Sequence, residues 1–135
     1  MATLPENLRT KFLQTAAIES KIGQRMHHDK VPQITEQRPF IFYQRTGTEH
    51  ARALDDSQGQ VPFHQSFAFE CVADSPRDAE ALADAVRTLD DFSGTAGDQT
   101  IRHLFVDEQN DDYAPIAAGS DAGRFVYALA VEVYL

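Results

Sequence analysis

A chain of 135 residues, 42% of them hydrophobic, is long enough for one domain with its own core and too apolar for general disorder. The formal charge of −9 is uneven: residues 1–60 carry eight Lys/Arg against seven Asp/Glu, residues 61–135 four against fourteen, and +1 and −10 sum to −9. An acidic body repels a phosphate backbone, which argues against sequence-reading of nucleic acid, although acidic surface can line a passage for DNA without gripping it.

No apolar run approaches the ~20 residues that cross a bilayer, so no membrane partner is expected. The opening MATLPENLRTKFLQ lacks the basic segment and apolar run of a signal peptide, which points to synthesis in the cytoplasm. The single cysteine, Cys71, has no partner for an internal disulfide.

In chain order, the first predicted helix covers Leu4 to Ile22. Thr3 and Glu6 have the spacing of a capping box, Pro5 lies in the first turn, and Leu8, Phe12, Thr15, Ile18 and Ile22 form an approximate apolar stripe. Gly23 is its stop. Residues 24–39 read as irregular and extended, because Pro32 and Pro39 disfavour helix before them. Phe40-Ile41-Phe42-Tyr43-Gln44-Arg45 reads as the first strand, and four consecutive large residues suggest burial on both faces or a partner on one. Residues 46–60 read as a long polar loop.

Val61 to Ala73 is the second strand, with Phe63, Phe67, Phe69 and Cys71 on one face by alternation. That position makes Cys71 a small core residue. Ser75, Pro76 and Asp78 then start an amphipathic helix of about four turns, with Ala79, Leu82, Ala83, Val86 and Leu89 as its apolar stripe and Gly94 as its stop. Residues 93–99 read as a flexible loop and Thr100 to Val106 as a third strand. A second long acidic loop occupies 107–122. The last strand alternates Phe125, Tyr127, Leu129, Val131, Val133 and Leu135 on one face. The expectation is one α+β domain over residues 1–135, in the order α-β-β-α-β-β, with two helices on an antiparallel-dominated sheet of four or five strands.

Catalytic chemistry finds little support. His27-His28-Asp29 lacks the spacing that brings metal ligands onto one face, and a solvated loop is the better reading. Asp107, Glu108, Asp111 and Asp112 crowd four carboxylates into six residues, without the spacing or glycine of a calcium loop. No phosphate-cradling glycine loop and no nucleophile elbow occurs, so no catalytic, cofactor or metal residue is assigned and no cofactor is expected. An alternative reading keeps His64 and His103, both near strand ends, as a pair in the pocket of a small enzyme or ligand-binding domain.

Several segments resemble, in order and spacing, the small tail-completion or tail-terminator proteins of tailed bacteriophages and prophages. They are IGQRMHHDKVPQ (22–33), PFIFYQR (39–45), FAFECVADSPRDAEALADAVRTLDDFSG (67–94), VDEQNDDYAP (106–115) and the closing RFVYALAVEVYL. The resemblance covers nearly the whole chain and implies a virion structural protein. Such a protein forms a ring, typically six-fold, at the head-proximal end of the tail tube. There it stops tube polymerisation and joins the tail to the head connector. The implied partners are further copies of the chain, the tail-tube protein and a connector or neck protein, with DNA only as passing cargo. A neck or connector protein of the same assembly is the alternative within that class.

The resemblance carries no interface motif, so contact residues are read from the chain itself. They are Phe40 and Phe42 on the doubly apolar strand, and Arg45 and Arg52 beside the first long loop. The acidic set Asp107, Glu108, Asp111 and Asp112 belongs to the second. A cyclic ring joins unlike patches, and these two loops have opposite characters.

Overall fold

The closing RFVYALAVEVYL, the most regular alternation in the chain, becomes one of the two central strands of the sheet. The computed structural model describes residues 3–28, 39–52, 60–114 and 124–135, with side chains placed for 3–28, 39–48, 64–107 and 125–135. In chain order the elements are α1 (Leu4–Leu13), α2 (Ala16–Ile22), β1 (Met26–His28), β2 (Phe40–Arg52), β3 (Gln60–Ala73), α3 (Pro76–Arg87), β4 (Phe92–Ala96), β5 (Gln99–Ala114) and β6 (Arg124–Tyr134). The six strands form one sheet in the order β1-β2-β3-β6-β5-β4. All neighbours are antiparallel except β1 and β2.

One face of the sheet is apolar and carries the helices. Ile41 and Tyr43, Phe67 to Ala73 in alternation, Ile101, Leu104 and Val106, and Tyr127 to Val133 in alternation all join one buried cluster with residues of the three helices. Phe12 of α1 meets Phe69 with ring centres 5.1 Å apart, and Tyr43 Oη donates to the Pro5 carbonyl at 2.7 Å. Each fully buried aromatic or aliphatic side chain contributes roughly 1.5–3 kcal/mol relative to exposure. Cys71 is fully buried in this cluster, and burial pushes its thiol up to about 12.

The helices start where their caps predict. Thr3 and Glu6 form the reciprocal capping box of α1, and Ser75 Oγ accepts from the Asp78 amide at 3.1 Å. The expected single helix over 4–22 is instead two. Thr15 Oγ1 donates back to the Lys11 carbonyl at 3.1 Å, and Thr15 itself is extended. A hydroxyl bonding four residues back competes with helix continuation, and the axis breaks there. The helix before Gly94 is shorter than expected and ends at Arg87, because Asp91 takes a left-handed φ of 66° and turns the chain into β4.

Six strands replace the expected four or five, and three helices the expected two. β1 and β4 arise from segments read as irregular and as loop. The described parts of the two regions read as long loops are strand. β2 continues through Arg52 and β3 begins at Gln60, while β5 runs to Ala114 against β6. The acidic residues 107–112 therefore lie on a strand.

This lengthening sets the geometry that matters below. The rung His103–Tyr134–His64 lies at one end of the central sheet and Ala73–Phe125 at the other. The pairing of β2 with β3 continues past the first of these ends to Arg52–Gln60, and the described pairing of β5 with β6 reaches Ala114–Arg124, one rung beyond the second.

Candidate functional site

The sheet face opposite the helices holds the side chains that the core does not use. Phe40 is 2% exposed within the chain itself, with its ring 5.9 Å from that of His27, while Phe42 is half-buried. Arg45 is exposed and lies on the helix-bearing side, its guanidinium 5.8 Å from the Phe67 ring centre. Asp107 is exposed and pairs with Ala130. Arg52 closes β2, and Glu108, Asp111 and Asp112 stand opposite Leu129, Tyr127 and Val126. The side chains of these last four lie outside the described ones.

Within one chain the basic and acidic sets stay apart. Arg45 pairs with Phe67, Phe67 with Val131, and Val131 with Val106, so three ladder spacings, roughly 14 Å, separate β2 from β5. Contact between the two sets requires another copy.

At the Tyr134 end of the helix-free face lies a cluster that sequence reasoning named only in part. His64 stacks on Tyr134 with ring centres 4.3 Å apart and planes 3° from parallel. Its Nε2 is 2.5 Å from Glu132 Oε2, and Ser66 Oγ donates to that same oxygen at 2.6 Å. Across Tyr134, Phe105 meets the tyrosine edge-on at 5.8 Å and His103 at 4.2 Å. His103 Nε2 is 3.0 Å from Asp91 Oδ1. Phe105, 38% exposed, is the large apolar side chain that this surface shows to solvent. The signal was present as three i, i+2 pairs, His64/Ser66, His103/Phe105 and Glu132/Tyr134, on the outward positions of adjacent strands.

The arrangement is poor for catalysis. Each histidine faces its own carboxylate, and the Ser66 hydroxyl is given to Glu132, the same oxygen that His64 Nε2 approaches, which is not the serine–imidazole order of a catalytic triad. Tyr134 stands between the two histidines and keeps them from converging. Among the described residues no group of three or more His, Cys, Asp or Glu is placed to hold a metal ion. His27, near Arg9 and Arg25, has its pKa lowered by partial burial first and then by the two guanidinium charges. No helix among the described residues is long and apolar enough to cross a membrane.

No protein-family profile and no curated protein matches the chain. Solved structures do match in fold. A chain of the virion of a native gene transfer agent particle superposes with a TM-score of 0.56 at 17% identity, covering 94% of this chain and 92% of that one. A second solved chain, 11% identical, superposes with a TM-score of 0.50 over 99% of this chain and 98% of its own.

Proposed function

We propose that the chain is a structural subunit of a phage-like virion and, within it, a tail terminator: a ring subunit at the head-proximal end of the tail tube. The observation that carries this reading is the fold match to a gene transfer agent virion chain over nearly the full length of both partners. The order of sequence motifs, which resembles the tail-terminator family, supports the finer assignment.

The role asks for surfaces rather than chemistry. A ring needs unlike patches on opposite sides of the subunit, and the strands next to the two outer ones differ in charge: β2 carries Arg45 and Arg52, β5 carries Asp107, Glu108, Asp111 and Asp112. Acidic side chains lining the channel would let DNA pass without being held, and Glu70, Glu132 and Asp107 lie on the helix-free face. A basic lumen in an assembled ring would refute that part.

The test is mass in solution by light scattering over a concentration series, with and without tail-tube protein. A six-fold species, alone or on addition of tube protein, is expected. A chain that stays monomeric with tube and connector proteins alike refutes the assignment.

A further inference from the structure

The helix-free face is a grid whose rungs run across three strands. His64, Tyr134 and His103 form one rung, Ser66, Glu132 and Phe105 the next, and Ala68, Ala130 and Asp107 the third. The ring contacts of Phe105, to His103 at 4.2 Å and to Tyr134 at 5.8 Å, both come from the first rung. On its other side stands the third rung, with two alanines and a carboxylate. The ring is packed from one side only and stays 38% exposed.

Two carboxylates flank that ring. Glu132 is the cross-strand partner of Phe105, and Asp107 lies two residues along β5 on the same face. They occupy diagonal positions, roughly 7–8 Å apart at their first side-chain carbons. Ala130, directly across from Asp107, fills the remaining corner with only a methyl group. Glu132 is anchored through Oε2 alone, by His64 and Ser66, and its side chain is 25% exposed. Its Oε1 and the exposed Asp107 carboxylate take no hydrogen bond from any described residue. Glu70 adds a third carboxylate one rung further on, and the described side chains of these rungs include no lysine or arginine.

From this we infer that the corner formed by Phe105, Glu132 and Asp107 is a docking site for an arginine side chain of a partner protein. Charge and shape together select that occupant. An apolar anchor would cover the two carboxylates without pairing them, which is costly, and a phosphate would be repelled. A guanidinium is planar, stacks on an aromatic ring and donates from several edges at once. One such group can lie against Phe105 over Ala130 and reach both carboxylates. An ammonium is compact, strongly hydrated and has no flat face for the ring. His64 and Ser66 hold Glu132 in place before a ligand arrives, which lowers the ordering cost of binding. The site is complete in one chain, so the inference does not rest on the ring reading and holds whether or not this face lines a channel.

Saturation-transfer NMR at low ionic strength tests this with three probes: N-acetyl-arginine amide, N-acetyl-lysine amide and N-acetyl-norleucine amide. The arginine probe is expected to bind saturably, the lysine probe more weakly by about threefold or more, and the norleucine probe without saturation. Phe105→Ala should weaken the arginine probe by about three- to fivefold, the size of an exposed cation–π contact. Asp107→Asn, a conservative change on an exposed residue, should weaken it by about the same factor while leaving the ring in place. Glu70→Gln, one rung beyond, should leave it within about twofold.

Absence of saturable arginine binding overturns the site. Equal binding of arginine and lysine that ignores Phe105→Ala is diffuse attraction to an acidic surface and overturns it too. So does arginine binding unaffected by both Phe105→Ala and Asp107→Asn, which then lies elsewhere, or norleucine binding as strong as arginine. None of these outcomes reads the oligomeric state, so the ring assignment is judged separately by light scattering.

Discussion

Asn7 is predicted to be the fastener between the first helix and the β4–β5 hairpin, and its removal should couple strongly to a change at Gly97. Asn7 is 2% exposed on α1. Its Nδ2 donates to Asp98 Oδ1 at 2.8 Å and to Gln99 Oε1 at 3.2 Å, and its Oδ1 accepts from the Asp98 amide at 3.2 Å. Gly97 begins the two-residue turn with φ +59°, a region L side chains rarely adopt, and a Cβ there would lie 2.1 Å from Asn7 Oδ1. Three hydrogen bonds at about 1 kcal/mol each, less what the exposed Asp98 regains from water, put Asn7→Ala at about 2–3 kcal/mol. Gly97→Ala has two costs: about 1–2 kcal/mol for the left-handed backbone and a similar amount for displacing the Asn7 side chain.

In the double variant the obstruction is gone and the hydrogen bonds are already lost, so Gly97→Ala should then cost only its backbone share. The double-mutant cycle therefore shows the two changes sub-additive by about 1–2 kcal/mol. Urea unfolding at a protein concentration low enough to hold the monomer reads this, because assembly would add its own stabilisation. At about 4 °C per kcal/mol, Asn7→Ala alone lowers Tm by about 8–12 °C. Additivity within about 0.5 kcal/mol would refute the reasoning, since it would mean that the two sites do not share the contact.

Cys71, with its thiol raised from 9.0 to about 12, holds its proton in the folded chain while the unfolded chain loses it. Stability from this source is complete below pH 9 and falls by about 1.4 kcal/mol per pH unit above it, a slope that Cys71→Ala should flatten in alkaline unfolding curves. The same thiol should resist alkylation until denaturant is added. His27 has the opposite sign: its folded pKa is lowered, so below its ordinary 6.5 the unfolded chain takes the proton first. Tm should therefore drop as pH falls from 7 towards 5, and by less in His27→Gln. Arg87 Nη2 donates to Tyr127 Oη at 2.5 Å and its guanidinium sits 4.8 Å from that ring. Tyr127→Phe should cost about 1 kcal/mol by thermal unfolding, with Arg87→Ala costing more because the ring contact goes too.

What could be read from the chain is what the core dictates. Ser75, Pro76 and Asp78 mark the start of α3, and its stripe Ala79, Leu82, Ala83, Val86 and Leu89 is buried. Phe67, Phe69 and Cys71 alternate into the same core as Tyr127, Leu129, Val131 and Val133. The elements that escaped have no such pattern. β4 is Phe-Ser-Gly-Thr-Ala, recruited by the backbone of β5, and β1 is three residues long. The far halves of β2 and β5 read as loops because their residues are mostly polar, so the period-2 hydrophobic signal fades where pairing continues.

The same physics explains why an assembly surface can be nearly silent in a sequence. A catalytic site selects particular side chains and spacings, whereas a strand edge recognises through N–H and C=O groups that almost every residue carries. Such an edge is marked only by where a neighbouring strand stops, which depends on the lengths of β1 and β4 and on the order of all six strands. Charge is the part that sequence could show, and it did: two arginines fall in β2 and four carboxylates in β5. Sequence could not show that these two strands lie on opposite sides of the β3–β6 pair in one sheet.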